Sequence, residues 1–273
     1  MEASASPGGH GGQPRSRLAA LGLRLAYDHR VVVPDLSVEI PDGGFTIIVG
    51  PNACGKSTLL KALSRTLKPE AGTVLLEGAP IDTYRSKAVA RQLAMLPQSP
   101  IAPESITVRD LVARGRYPHQ GLLRQWTSAD EVAVTGALES TASTELADRY
   151  VAELSGGQRQ RVWIAMVLAQ QADLLLLDEP TTFLDIAHQY EVLELCSRLH
   201  AEGRTLVAVL HDLNQAARYA TNLVVMKAGR IVAEGDPREV LTAELVEDVF
   251  GLPCVIIPDP EAGTPLVVAK VPA

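Results

Sequence analysis

"FTIIVGPNACGKSTLLKAL", residues 45–63, places an apolar run, a glycine-rich loop and a helical pattern in that order. Phe45–Val49 is rich in β-branched and aromatic residues, which predicts a short buried strand. Residues 50–57 match GxxxxGKS, and leucines then recur at helical spacing up to residue 63. A strand that leads through such a loop into a helix predicts an α/β fold with an anion-binding loop.

The residue types in this loop suit a nucleotide phosphate. Gly50 and Gly55 let the backbone curl so that successive N–H groups face an anion. Lys56 would reach the β- and γ-phosphates of a nucleotide such as ATP, and the Ser57 hydroxyl would bind Mg²⁺. Ala53 stands where many such loops carry glycine, so it needs a φ that an L-residue tolerates. The other predicted nucleotide-binding residues of the loop are Pro51, Asn52, Cys54 and Thr58. The alternative is a glycine turn capped by serine before an ordinary helix.

Composition limits the class of protein. The chain has 273 residues, 47% of them hydrophobic, and a net charge of -7, which is typical of a globular α/β protein with one main domain. The acidic balance argues against binding nucleic acid over its surface. No apolar run approaches the length of about 20 residues that crosses a bilayer. The 3 cysteines have no metal-ligand spacing, and their odd number favours a reducing compartment, the cytoplasm by default.

Two further apolar strands are each predicted to end in a polar side chain. Leu174–Leu177 leads to Asp178 and Glu179, at the end of a strand where α/β sheets place their sites. Asp178 would hold Mg²⁺, and Glu179 would orient an attacking water or accept its proton. The strand Thr205–Leu210 delivers His211, a candidate donor to the γ-phosphate. Solvated charges and a structural histidine at strand ends are the alternative.

The segment "LSGGQ" precedes a second helix. Ser155, Gly156, Gly157 and Gln158 stand before an apolar-periodic stretch, so this helix also begins with a glycine-lined, positive end. One chain thus offers two anion-binding helix starts but only one set of carboxylates. A head-to-tail dimer, in which this segment closes over the nucleotide of the other copy, would use both. A serine cap after a Gly-Gly turn is the alternative.

The ordered set "GPNACGKST", "LPQ", "LSGGQ", "LLLLDEP", "TTFLDI" and His211 resembles the ATP-binding subunit of ABC transporters, and the resemblance extends from Leu18 to the C-terminus. It implies a P-loop NTPase cassette: a RecA-like, mainly parallel sheet, an antiparallel β subdomain and an inserted helical subdomain. It also implies that Tyr27 stacks on adenine and that Gln98 senses Mg²⁺ and the attacking water. Ser155–Gln158 would contact ATP across the dimer, and Asp185 would join the two halves.

More specifically, "VARGRYPHQGLLRQW", "EPTTFLDIAHQ" and "DPEAGTPLVV" are similar to ATPases of ferric-siderophore importers, close to the ferric-enterobactin type, with Phe183 in place of the expected tryptophan. The subfamily includes ATPases for cobalamin and haem. The resemblance implies a homodimer, integral-membrane permease subunits, an indirect link to a substrate-binding protein and no nucleic acid. It places the chain peripherally on the cytoplasmic face of the inner membrane. A soluble ABC-type ATPase of Fe–S assembly, DNA repair or translation is the rival class, whereas a P-loop kinase or GTPase leaves "LSGGQ" unexplained.

The predicted organisation has three parts: a disordered tail over 1–17, the cassette over 18–251 with its helical subdomain at about 99–168, and a C-terminal β hairpin extension over 252–273. Within the subdomain, helices are expected at Ile106–Arg114 and Ser128–Ser140, the second opened by a capping box between Ser128 and Glu131. After a hairpin that turns at residues 228–229, one helix is expected over Pro237–Phe250.

The stretch "RGRYPHQG", residues 114–121, lies between the two subdomain helices. The resemblance implies that this subdomain faces the membrane-spanning partners, so the stretch is predicted to be a docking surface for a membrane partner. Tyr117 would pack against that partner, and Arg114 and Arg116 would meet its polar rim. The alternative is a solvated loop.

Overall fold

The computed structural model describes residues 16–121 and 126–271. Its strands are β1 (Ser16–Tyr27), β2 (Arg30–Pro41), β3 (Phe45–Val49), β4 (Ala71–Leu76), β5 (Ala79–Pro80), β6 (Leu93–Leu96), β7 (Leu174–Asp178), β8 (Thr205–Val209), β9 (Asn222–Lys227), β10 (Arg230–Gly235), β11 (Cys254–Pro258) and β12 (Pro265–Ala269). Its α-helices are α1 (Lys56–Leu63), α2 (Ser86–Gln92), α3 (Val108–Ala113), α4 (Ser128–Ser140), α5 (Gly156–Ala169), α6 (Ile186–Ala201), α7 (Leu213–Tyr219), α8 (Pro237–Val240) and α9 (Ala243–Phe250).

A six-stranded sheet, in the order β10-β9-β3-β8-β7-β6, forms the centre of the fold. All its neighbouring pairs are parallel except β9 and β10. Successive residues of β3 face opposite sides, with Ile47 in one apolar core and Ile48 in another. Because both faces are covered, β3, β7 and β8 are buried throughout, which explains their unbroken apolar sequences.

A separate antiparallel sheet, β2-β1-β4-β5, packs with α1 against one face of the central sheet. This arrangement confirms the predicted α/β cassette with an antiparallel β subdomain. Strand β1 already begins at Ser16, so the boundary predicted at residue 17 is too late by two residues. The rest of the predicted tail, residues 1–15, lies outside the described residues.

The described residues between β6 and β7 contain helices α3, α4 and α5. Helix α4 has the predicted bounds, whereas α3 is shorter than predicted and is followed by a 3₁₀ helix over Arg114–His119. The capping box of α4 consists of Thr127 and Asp130, one residue before the predicted pair. The backbone of Thr127 is extended, with φ -115° and ψ 162°, so Thr127 is the last residue outside the helix and therefore its cap.

The predicted surface role of Arg116 is wrong, because this residue is 3% exposed. Its guanidinium donates to Asp130 at 2.8 Å and to the carbonyl of Ala169 at 2.7 Å. These bonds join the 3₁₀ helix to α4 and to the end of α5. Arg114 and Tyr117 of the same stretch are exposed, so two of the three residues predicted to contact a partner lie at the surface.

The C-terminal part follows the predicted order with one break. The turn between β9 and β10 is at Ala228 and Gly229, as predicted, but the single helix expected after it is divided into α8 and α9. Thr242 causes the division, since its extended backbone lets its side chain cap α9. The final strands β11 and β12 form the predicted hairpin, which Asn214 of α7 holds through two bonds to Val267. No helix within residues 16–121 and 126–271 is long and apolar enough to cross a membrane.

Candidate functional site

The phosphate loop follows β3 and ends at α1, in the predicted order. Gly50, Ala53 and Gly55 all have positive φ, at 155°, 61° and 106°. A Cβ on Gly50 would lie 2.2 Å from the carbonyl oxygen of Met226, so only glycine fits there. Ala53 occupies the small left-handed region, which costs an L-residue about 1 kcal/mol. Ala53 and Gly55 also line the cleft described below, so the strained turn lies at the candidate anion site.

Lys56, Ser57 and Asp178 meet at the bottom of this loop. The Lys56 ammonium is buried and donates to the carbonyls of Gly50 at 2.8 Å and Pro51 at 3.1 Å. Ser57 Oγ donates to Asp178 Oδ1 at 2.8 Å. Burial raises the pKa of Asp178, and the Glu179 carboxylate adds to this effect, whereas the bond from Ser57 acts against it.

Glu179 accepts bonds from three side chains, one in its own turn and two in other segments of the chain. Gln98 Nε2 donates to Oε2 at 2.6 Å, Thr182 Oγ1 donates to the same oxygen at 3.0 Å, and His211 Nε2 lies 2.8 Å from Oε1. Burial acts to raise the pKa of Glu179, but the bonds from His211, Thr182 and Gln98 outweigh it and hold the pKa below its ordinary value. At neutral pH this side chain is therefore a carboxylate with an ordered set of donors.

A cleft of about 600 Å³ opens above these groups. Sequence reasoning identified most of its lining: Tyr27, Asn52, Ala53, Gly55, Lys56, Ser57, Thr58, Glu179 and His211. It missed Arg30, Val31 and Val32 at the start of β2, and Ala228 in the β9–β10 turn. Tyr27 is 40% exposed, and Lys61 Nζ lies 6.0 Å from its ring centroid.

Three predicted loop residues lie behind the wall of the cleft. Gly50 and Pro51 contribute the carbonyls that hold Lys56, as described above. The Cys54 thiol is 4% exposed, and burial raises its pKa, so it is not a reactive thiolate. Cys54 therefore contributes to the loop through its small side chain and its backbone.

The second glycine-lined helix start forms as predicted. Ser155 caps α5 in a capping box with Gln158, and a Cβ on Gly157 would lie 2.5 Å from the His188 ring, whereas one on Gly156 would have room. Asp185 caps α6 and accepts from His188, whose backbone N–H bond is the main reason that the pKa of Asp185 is lowered. Neither the segment 155–158 nor Asp185 lines the cleft of its own chain.

The carboxyl ends of four parallel strands, β3, β6, β7 and β8, lie at one edge of the central sheet, and each leads into a segment of the candidate site. Since these strands are parallel neighbours, Gln98, Glu179 and His211 meet although they are distant in sequence. Thr182 was not predicted as a site residue, and its Oγ1 reaches the Glu179 carboxylate across a turn of four residues. No cluster of three or more Cys, His, Asp or Glu within the described ranges is placed to hold a metal.

Comparisons with known proteins agree with this site. A family model described as ABC transporter matches residues 33–182. The ferric enterobactin transport ATP-binding protein FepC of Escherichia coli (strain K12) is 58% identical over 93% of this chain and 94% of that protein. The probable siderophore transport system ATP-binding protein YusV of Bacillus subtilis (strain 168) is 53% identical over 92% of each.

A solved structure described as an inward-facing conformation of a putative metal-chelate type ABC transporter has a similar fold. It superimposes with a TM-score of 0.80 at 29% identity and covers 94% of this chain and 98% of that chain. The family match spans the phosphate loop and the Asp178–Glu179 pair, and the two relatives extend the likeness along the rest of the molecule. This chain belongs to the ABC transporter family, as one of its ATP-binding subunits that hydrolyse ATP.

Proposed function

We propose that this subunit powers the import of an iron(III)-siderophore through partner membrane subunits. The observation that carries the proposal is the convergence of Lys56, Ser57 and Glu179 in one cleft at the edge of a parallel sheet, with Asp178 bonded to Ser57, in a chain whose relatives are named for siderophore transport. The site accounts for ATP hydrolysis, and the relatives point to the cargo.

The residues present fit Mg²⁺ as the metal. Ser57 lines the cleft, and its Oγ donates to Oδ1 of Asp178, which is buried directly behind it, so two candidate oxygen ligands are neighbours at the cleft wall. Mg²⁺ commonly binds through one or two protein oxygens, water and the substrate's phosphates, and it neutralises phosphate charge when bound. With substrate present, Lys56 would exchange its loop carbonyls for phosphate oxygens, and Glu179 would accept a proton from water.

A head-to-tail dimer accounts for the residues that lie outside the cleft. Ser155–Gln158 would contact the nucleotide of the other copy, and Asp185 would lie at the junction. Phe183 and Ile186 flank Asp185 and are 91% and 72% exposed, which suits a surface that a second copy covers. Opening and closing of this dimer would drive the permease subunits at the cytoplasmic face of the inner membrane.

Glu179→Gln tests the catalytic part. The amide keeps the size of the side chain but cannot accept the water proton, so ATP still binds and hydrolysis falls by about 100-fold or more. Turnover is measured by phosphate release. Dimers trapped with ATP are detected by size-exclusion chromatography. The exposed Glu202→Gln is the control. Persistent turnover in Glu179→Gln would show that another group is the base.

Uptake with the co-expressed permease tests the cargo. The proposal predicts ATP-dependent accumulation of a labelled iron(III)-siderophore in vesicles that hold the whole transporter. Accumulation of cobalamin or haem instead would assign the chain to a sister importer. A constitutively soluble complex that never joins a membrane fraction would place it with the non-transport ATPases.

A further inference from the structure

Thr182 makes two contacts with Glu179 from within the same turn. Its backbone N–H donates to the Glu179 carbonyl at 3.2 Å, and its Oγ1 donates to Glu179 Oε2 at 3.0 Å. Glu179 itself has a φ of 52°, a left-handed conformation that needs support from its surroundings. Thr182 is half-buried and does not line the nucleotide cleft.

The three donors to Glu179 differ in what else they do. In the proposed function Gln98 turns to Mg²⁺ and water, and His211 turns to the γ-phosphate. Both would then leave the carboxylate in the state that hydrolyses ATP. Among the described residues Thr182 is the donor whose bond does not depend on the nucleotide, because the bond closes a turn of only four residues.

We infer that Thr182 is a positioning residue that holds Oε2 of Glu179, so that Oε1 is left to take the proton from the attacking water. The inference rests on the proposed role of Glu179 as the base. It assigns a separate task to each carboxylate oxygen. The oxygen now bonded by both Gln98 and Thr182 stays anchored, and the oxygen facing His211 becomes the proton acceptor.

The test compares Thr182→Val with Thr182→Ser. Valine keeps the branched shape and loses only the hydroxyl, whereas serine keeps the hydroxyl. Loss of one hydrogen bond to a charged group predicts a kcat for ATP about 10-fold to 100-fold lower in Thr182→Val, with KM within about twofold of the parent protein. Thr182→Ser should restore kcat. Thr181→Val is the matched control, since its hydroxyl bonds no other described residue and lies outside the cleft.

A crystal structure of Thr182→Val with a non-hydrolysable ATP analogue bound, the state in which Gln98 and His211 would have left the carboxylate, supplies a readout independent of activity. The Glu179 carboxylate should leave the single orientation described here, and in Thr182→Ser it should return. An unchanged kcat in Thr182→Val, or an equal loss in both variants, would overturn the inference. Loss of ATP affinity instead of kcat would do the same.

A failure of the proposed function gives a different experimental result from a failure of the positioning role. If Glu179→Gln still turns over ATP, the base assignment is wrong whatever Thr182 does. If Glu179→Gln is inactive and Thr182→Val is fully active, only the positioning role is wrong.

Discussion

Arg116→Met removes a buried ion pair that ties three segments together. Arg116 is 3% exposed, and it donates to Asp130 at 2.8 Å, to the carbonyl of Ala169 at 2.7 Å and to Gln171 at 2.8 Å. Methionine keeps much of the aliphatic stem but none of these bonds. The Asp130 carboxylate remains buried, with Thr127 as its partner.

The loss is large because a charge is left behind without its counterion. Breaking a buried pair from one side costs about 3–5 kcal/mol. A chain of this size loses about 2 °C of Tm for each kcal/mol, so the Tm should fall by about 6–10 °C. The exposed neighbour Arg114→Met should change stability by about 0.5 kcal/mol or less.

Lowering the pH should reduce the difference in unfolding free energy between Arg116→Met and the parent protein. In the native protein burial acts to raise the pKa of Asp130, but the bonds from Arg116 and Thr127 outweigh it and the pKa is lowered. The stability that the pair contributes is therefore complete above the pKa of the unfolded carboxyl, about 4, and is lost as pH falls through the lower folded value. Removing Arg116 takes away its hydrogen bond and its charge, both of which lower the pKa of Asp130, so the folded pKa should rise.

Urea unfolding followed by circular dichroism at pH 7 and near pH 4 measures both effects. The gap in unfolding free energy between Arg116→Met and the parent protein should be greatest at pH 7 and smaller near pH 4. Equal stability of Arg116→Met and Arg114→Met at pH 7 would refute the reasoning. A gap that does not shrink in acid would show that the carboxylate charge is not its source.

Two further substitutions test the nucleotide loop and the partner surface. Lys56→Ala removes the ammonium at the bottom of the loop and should weaken ATP binding about 10-fold to 100-fold by calorimetry, with exposed Lys68→Ala as control; unchanged affinity would contradict the phosphate assignment. Tyr117→Ala removes an exposed ring that lies beside Lys87 and should leave basal ATP turnover intact while lowering permease-stimulated turnover. Leu21→Ala, also exposed, is its control, and full stimulation of Tyr117→Ala would make residue 117 ordinary surface.

Helix and strand predictions succeeded where neighbouring residues decide the outcome. The strand, loop and helix of residues 45–63 form as the pattern predicts, because apolar spacing and two glycines act over a few residues. The errors in the predicted helix bounds are small, and they also arise from residues close together in the chain. A cap is displaced to Thr127, and Thr242 divides the helix predicted over 237–250, because a capping side chain competes with helix continuation.

Whether a charged side chain is buried or exposed was harder to predict from the sequence. Arg116 belongs to a stretch that looks like a basic surface, yet it is buried, because Asp130 and the end of α5 reach it from elsewhere in the chain. The sequence identifies Arg116 as a cation and leaves its solvation open. Solvation depends on which elements pack over it.

By itself the sequence determined the family, the order of the motifs and the residue types that bind phosphate and activate water, since each depends on residues close together in the chain. Only the tertiary structure decided that Gln98, Thr182 and His211 share the Glu179 carboxylate. It also decided that Ser155–Gln158 lie outside their own chain's cleft. The physical reason is that parallel strands bring distant segments to one edge, and hydrogen bonds made there depend on distances in space.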